Sequence, residues 1–201
     1  MKTTLKKRIL WLHKVLGLVT GIVVFFVAIT GSCWVFKEEI EALYSDYKKV
    51  VPQENEIITA SEAKEIALQV FPTKNIHGTL FKKADDAVEV IFYEAEPEFY
   101  QSVFLNPYSG EVLHVKDHFS GFFAFVLRGH MYLWLPNNIG EQVVSISIFL
   151  FLFILVSGLV LWWPKKLKYL KKRATIKMKP TTKRKRKNYD LHAIGGFYGY
   201  Y

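Results

Sequence analysis

The sequence predicts a membrane protein of the α+β class. Transmembrane helices, two complete and the start of a third, flank an extracytoplasmic domain of one helix packed on an antiparallel sheet. Two runs without a charged residue or histidine, residues 15–36 and 143–163, are each long enough to cross a hydrocarbon core of about 30 Å. The region between them contains one helical pattern followed by several strand-like runs. The charges are also divided unevenly along the chain.

The net charge of +9 is the sum of three blocks of opposite sign. Residues 1–36 carry +5, residues 37–142 carry −8 and residues 143–201 carry +12. By the positive-inside rule, both basic blocks lie in the cytoplasm and the acidic block lies outside, as in a multi-pass protein of the bacterial cytoplasmic membrane. The basic run 183–187 follows a predicted span, so anionic membrane lipids are its expected partner and nucleic acid is not.

The same observations set the predicted boundaries of the membrane parts. Residues 1–14 form a basic cytoplasmic N-terminus, and residues 15–36 form the first span, because this run exceeds the apolar region of a signal peptide. Cleavage after residue 32 is the alternative. Residues 143–163 form the second span, residues 164–190 a basic cytoplasmic loop, and residues 191–201 the start of a third span. Eleven residues cannot cross a bilayer, so the chain is expected to be a fragment or to take its third helix from a partner.

The extracytoplasmic region, residues 37–142, contains a domain expected at about residues 59–115. Thr59 and Glu62 predict a capped helix start, and Pro72 predicts its end. The apolar positions of this helix share one face: Ala63, Ile66, Ala67 and Val70. Strands are predicted at residues 76–82, 88–93, 100–105 and 111–115, with a turn at 106–110. Residues 119–136 are apolar and aromatic, which predicts an interfacial helix or re-entrant segment.

Histidines near the predicted spans are the candidate functional residues. The pattern Leu-His-x-x-x-Gly occurs twice, at His13 with Gly17 and at His192 with Gly196. Two neutral imidazoles from neighbouring helices could bind one haem iron, and a glycine one turn later would leave room for the flat macrocycle. The alternative is that these histidines are interfacial and the glycines serve helix packing. His130 could bind a second haem, with His118 as its weakly supported partner.

The motifs also resemble a known family. The run Val-Phe-Leu-Asn-Pro-Tyr-Ser-Gly-Glu-Val-Leu, residues 103–113, resembles the PepSY domain. Together with Trp-Leu-His-Lys-Val-Leu-Gly at residues 11–17, Arg-Gly-His at 128–130, Ser-Gly-Leu-Val-Leu-Trp-Trp-Pro at 157–164 and Asp-Leu-His at 190–192, it resembles the PepSY-associated transmembrane family. That family includes membrane reductases of iron siderophores.

The resemblance implies a membrane oxidoreductase of the ferric reductase type. It implies haem b held by His13, His130 and His192, electron transfer outward to a ferric siderophore or related chelate, and a cytoplasmic donor such as a flavin reductase. The sequence has no nucleotide fingerprint or phosphate loop, so flavin or NAD(P)H would bind a partner or a missing region. It also has no catalytic triad or metalloprotease motif. Cys33 is the only cysteine, which excludes an internal disulfide. The alternative function is a membrane-tethered PepSY module that binds or regulates a partner without catalysis.

Overall fold

The computed structural model describes residues 3–164, 166–170, 175, 181 and 183–199. Most of the predicted basic loop between residues 170 and 183, and the last two residues of the predicted third span, lie outside this part. The chain divides into two compact units. One contains Met1–Ile29 together with Gly129–Tyr201, and the other contains Thr30–Arg128.

Two long apolar helices confirm that both uncharged runs are helical. Helix α1 spans Thr3–Val35 and helix α5 spans Asn137–Trp162, and both are long and apolar enough to cross a membrane. Each helix begins before its uncharged run, since the polar residues ahead of the run continue the helical backbone, and each ends one residue before the run does. Large apolar side chains along both helices are more than half exposed, as at Leu18 and Phe149. Lipid is the medium in which that exposure costs no free energy.

The second unit contains a four-stranded antiparallel sheet with the strand order β1-β2-β3-β4. The strands are β1 at Ile76–Leu80, β2 at Val88–Glu94, β3 at Phe99–Leu105 and β4 at Val112–Asp117. All four lie within one or two residues of their predicted bounds. Helix α2, Lys37–Glu41, and a 3-10 turn, Asp46–Lys48, precede the sheet domain and were not predicted.

Helix α3, Ala60–Val70, covers one face of the sheet and forms the core with it. The predicted capping box is confirmed: Thr59 Oγ1 accepts a hydrogen bond from the Glu62 backbone N–H, and the Glu62 carboxylate accepts one from the Thr59 backbone N–H. Alternate residues of β2 and β3 point at α3, as expected for a sheet with one buried face. The buried core consists of Ala63, Ala67, Val88, Val90, Phe92, Val103 and Leu105.

The turn between β3 and β4 has the backbone conformation that the sequence predicts. Asn106 Oδ1 accepts a hydrogen bond from the Tyr108 N–H at 2.9 Å, and the Gly110 N–H donates to the Asn106 carbonyl oxygen at 2.9 Å. Gly110 has φ +73°, a left-handed conformation that costs side-chain-bearing residues energy. A Cβ at this position would also lie 2.7 Å from Ile66 Cδ1.

Replacing Gly110 by alanine should destabilise the sheet domain by about 1–2 kcal/mol, because alanine resists the left-handed conformation. Hydrogen exchange of β3 and β4 in the full chain would measure the change in opening free energy. Gly78→Ala is the matched control, since a Cβ at Gly78 meets no atom within 4 Å. Equal protection in Gly110→Ala and wild type would contradict this account of the turn.

A buried carboxylate joins α2 to the second face of the sheet. Glu41 is only 3% exposed, and its two oxygens contact Lys48 Nζ at 2.5 Å and Lys116 Nζ at 2.6 Å. Burial by itself would raise the pKa of Glu41, but the hydrogen bonds from Lys116 and Lys48 outweigh it and hold the pKa below its usual value. The Tyr47 ring stacks on His114 at 4.0 Å between centroids. Residues after α1 are thereby attached to the sheet.

Helix α4, Gly121–Tyr132, confirms that the predicted interfacial segment contains a helix, and a tight elbow connects it to α5. Leu133 and Trp134 both have left-handed backbone, with φ 52° and 58°. The Trp134 indole lies against Gly129, where a Cβ would approach it to 2.3 Å. Helix α6, Arg184–Tyr198, contains the predicted start of the third span and begins seven residues earlier, within the basic run.

Candidate functional site

His13 lies on α1 with one ring nitrogen held by α5. Its Nδ1 is 2.9 Å from Ser157 Oγ. Ser157 Oγ also lies 3.0 Å from the Ile154 carbonyl oxygen. When the hydroxyl donates to that carbonyl, Ser157 Oγ accepts a hydrogen bond from the Nδ1–H of a neutral His13 ring. This assignment leaves the proton on Nδ1 and the lone pair on Nε2. Nε2 is therefore the atom of His13 that can bind a metal.

His192 on α6 is the neighbour of His13. The two ring centroids are 6.0 Å apart, and the ring planes are inclined by 67°. When two imidazoles bind one metal with bonds of about 2 Å, their ring centres stand about 6 Å apart. The structure thus brings together the two histidines of the repeated Leu-His-x-x-x-Gly pattern, at a separation that one iron could bridge.

Packing between α5 and α6 holds the two rings in place. A Cβ at Gly158 would lie 3.3 Å from His13 Cε1, so the glycine next to Ser157 lets the His13 ring lie close to the α5 backbone. The Trp162 and Phe197 rings stack at 4.1 Å between centroids and attach α6 to α5. These contacts place the rings by means of three different helices.

The glycines of the repeated pattern face open space. A Cβ at Gly17, Gly21 or Gly196 would meet no atom within 4 Å in the described part of the chain. The alternative explanation of these glycines, close packing of one helix on another, is therefore not realised among the described residues. Space beside both histidine-bearing helices is what a flat macrocycle needs.

His130, on α4, has its Nδ1 2.9 Å from the Val27 carbonyl oxygen of α1. A carbonyl oxygen only accepts, so the Nδ1–H donates and Nε2 carries the lone pair, as in His13. Trp134 lies in the elbow that follows α4, and its ring centroid is 6.1 Å from that of Phe26. Adjacent residues of α1 thus contact His130 and the elbow that follows it.

The two histidine sites lie at different levels of the same helix. Val27 follows His13 by fourteen residues, which corresponds to about 21 Å along an α-helix. His130 therefore lies beside the last third of α1. One apolar helix carries a histidine contact near each of its ends.

The remaining histidines belong to the sheet domain. His118 Nε2 lies 2.7 Å from Ser102 Oγ, and the His118 ring stacks on Tyr100 at 4.1 Å between centroids. His114 stacks on Tyr47, and His77 is exposed on β1. No observation joins His118 to His130, so the pairing of these two residues stays a prediction.

Among the described residues, no group of three or more His, Cys, Asp or Glu side chains could hold a metal. A haem brings four nitrogen ligands of its own and needs only one or two from the protein. The haem hypothesis assigns one such site to His13 with His192 and a second to His130.

Ser157 and the Val27 carbonyl group are the site residues that the sequence analysis did not identify. The contact between His130 and Val27 could not be read from the sequence, because a backbone carbonyl leaves no mark in it. Ser157, in contrast, could have been recognised from the sequence. A serine within an uncharged apolar run has few partners available, and a histidine on a neighbouring helix is a natural one.

The family relationship agrees with this architecture. The family model described as PepSY-associated TM region matches residues 10–200. Among curated proteins, no sequence matches the chain. The match contains α1 from residue 10 onward, all of α5, the sheet domain and all three candidate haem ligands. The chain therefore belongs to the PepSY-associated transmembrane family of membrane proteins.

Proposed function

We propose that this protein transfers electrons across the bacterial cytoplasmic membrane by means of haem b. His13 and His192 would hold one haem and His130 a second. The N-terminus would lie in the cytoplasm and the sheet domain outside, as the distribution of basic residues favours. Electrons would come from a cytoplasmic donor such as a flavin reductase and pass to a ferric siderophore or a related iron complex.

The shared tautomer of His13 and His130 carries the proposal. Each ring donates its Nδ1–H to a fixed acceptor, Ser157 Oγ or the Val27 carbonyl oxygen, and presents an unprotonated Nε2. Histidines that bind metals are held in this way by a partner on the other nitrogen. The distance of 6.0 Å between the His13 and His192 rings supports a pair of ligands to one iron.

The role of the protein residues would be to bind, orient and exclude water. Ser157 fixes the orientation of His13, and Gly158 allows the ring to approach α5. The apolar side chains of α1 and α5 keep the surroundings of low dielectric, which helps set the reduction potential. A haem held there would supply reversible one-electron reduction of its iron. No acid or base among these side chains is required.

The optical spectrum of the full chain, purified in detergent, tests the proposal. We expect a Soret band that shifts when dithionite reduces the haem. The band should return to its original position when a ferric chelate reoxidises the haem. In a second sample, haem is added after purification. This sample controls for protein that did not acquire haem during expression. Protein that stays colourless in both samples would contradict electron transfer and leave the membrane-tethered PepSY binding module as the function.

A further inference from the structure

The second face of the sheet, opposite α3, contains a cavity of about 290 Å³ within the unit Thr30–Arg128. Its apolar walls include Tyr100, Phe104 and Ile91. Its polar walls come from α2, the 3-10 turn and strands β2 and β4. A volume of this size corresponds to about ten water molecules in the liquid, enough for a small organic molecule.

The charged groups of this cavity are balanced in number but are not all paired. Three ammonium groups, on Lys37, Lys48 and Lys116, face two carboxylates, on Glu41 and Glu89. The other charged groups on the wall are Glu38, Lys82 and Asp86, so the lining as a whole has four ammonium groups and four carboxylates. Asp86 shares Lys49 with Asp85, and each carboxylate lies 2.7 Å from that ammonium group.

His118 adds no charge that would change this balance near pH 7. Burial, and then the nearby charge of Lys116, lowers the pKa of His118, so its imidazole is neutral there. Glu89 Oε1 lies 4.0 Å from His118 Nε2. Burial also raises the pKa of Tyr100, whose hydroxyl therefore stays protonated and can donate a hydrogen bond.

Among the described residues of this cluster, Lys37 is the lysine that makes no ion pair. Glu41 already binds Lys48 and Lys116, and in the part of the chain that the structure describes no carboxylate oxygen lies within 4 Å of Lys37 Nζ. Its ammonium group lies 4.6 Å from the centroid of the Trp34 ring. Partial burial lowers the pKa of Lys37, which means that its charge lacks part of the stabilisation that water would provide.

We infer that this cavity binds a small organic anion, a monocarboxylate with a flat apolar body, whose carboxylate pairs with Lys37. The carboxylate would give Lys37 the ion pair that it lacks, and the apolar body would lie against Tyr100 and Phe104. Aromatic rings favour offset or edge-to-face contact with a flat apolar group. The site does not depend on the haem proposal, because every residue that forms it belongs to the sheet-containing unit.

Calorimetric titration of the full chain in lipid nanodiscs tests this inference with benzoate as the probe and neutral benzamide as its isostere. We expect benzoate to bind at least tenfold more tightly than benzamide. Lys37→Gln should weaken benzoate binding by about tenfold, which corresponds to about 1.4 kcal/mol. Lys37→Arg should retain binding, since it keeps the charge. Lys64→Gln is the matched control, because Lys64 is exposed on α3 and does not line the cavity.

Several results would overturn the inference. Equal affinity for benzoate and benzamide would show that charge plays no part in binding, and this comparison needs no variant. If Lys37→Gln binds benzoate as tightly as the wild-type chain, Lys37 does not bind the carboxylate. If the wild-type chain does not bind benzoate, the cavity is not a binding site for such anions. Hydrogen exchange of the strands would show that the variants keep the wild-type fold.

Discussion

Replacing His13 by alanine is expected to abolish haem binding at the site formed with His192. The substitution removes the ring whose centroid lies 6.0 Å from that of His192 and whose Nδ1 contacts Ser157 Oγ. A single remaining imidazole cannot give the spectrum of bis-histidine haem. Haem content per polypeptide, measured by the pyridine haemochrome assay with the reduced-minus-oxidised spectrum, reports the loss.

Two further variants make the result specific. His77→Ala removes an exposed histidine on β1 and should leave haem content unchanged. Ser157→Ala should retain the bis-histidine spectrum but weaken haem binding by about 10-fold or more, as is typical when the hydrogen-bond partner of a ligand is removed. If His13→Ala keeps the haem content and spectrum of the wild-type chain, His13 is not a ligand.

Replacing Glu41 by glutamine is expected to destabilise the attachment of α2 to the sheet by about 3 kcal/mol. Glutamine keeps the size of the side chain but leaves the ammonium groups of Lys48 and Lys116 without their counter-charge. This value is at the lower end for a broken buried ion pair, because the two lysines retain 31% and 19% of their side-chain exposure. The opening free energy of β4, from hydrogen exchange of the full chain, measures the effect.

The stabilising effect of the Glu41 carboxylate is expected to depend on pH. The pKa of Glu41 is lower in the folded chain than the value of about 4.3 expected when unfolded, so its contribution is present above that value and lost as pH falls through the folded pKa. The acid-dependent loss of β4 protection should therefore be smaller in Glu41→Gln than in wild type. Glu39→Gln is the control, since Glu39 is exposed on the same helix. Equal loss in Glu41→Gln and wild type would contradict the assigned role of Glu41.

The sheet domain shows how far local patterns determine structure. Alternating apolar residues predicted β2 and β3 because each strand has one face against α3 and one face away from it. The run Asn106 to Gly110 predicted its turn because the side chain of Asn106 and the freedom of Gly110 act within a few residues. Helix α2 was missed because five residues are too few to show a period.

The candidate haem site was predicted only in part. The repeated Leu-His-x-x-x-Gly pattern identified His13 and His192, since spacing along one helix can be read directly from the sequence. The length of α1 and the start of α6 were underestimated, because Lys and Arg residues next to an apolar run are good helix formers and continue the helix. The partners that fix each ring come from other helices.

By itself, the sequence determined two apolar helices, one capped helix, four strands and the histidines beside the spans. These features depend on the order of residues within a turn or a strand, and that order is written in the chain. Only the tertiary structure decided that Ser157 and Val27 accept the Nδ1–H groups of His13 and His130, and that Glu41 binds two lysines. Such contacts join residues up to 144 positions apart, and only packing of helices and sheet sets the distances between them.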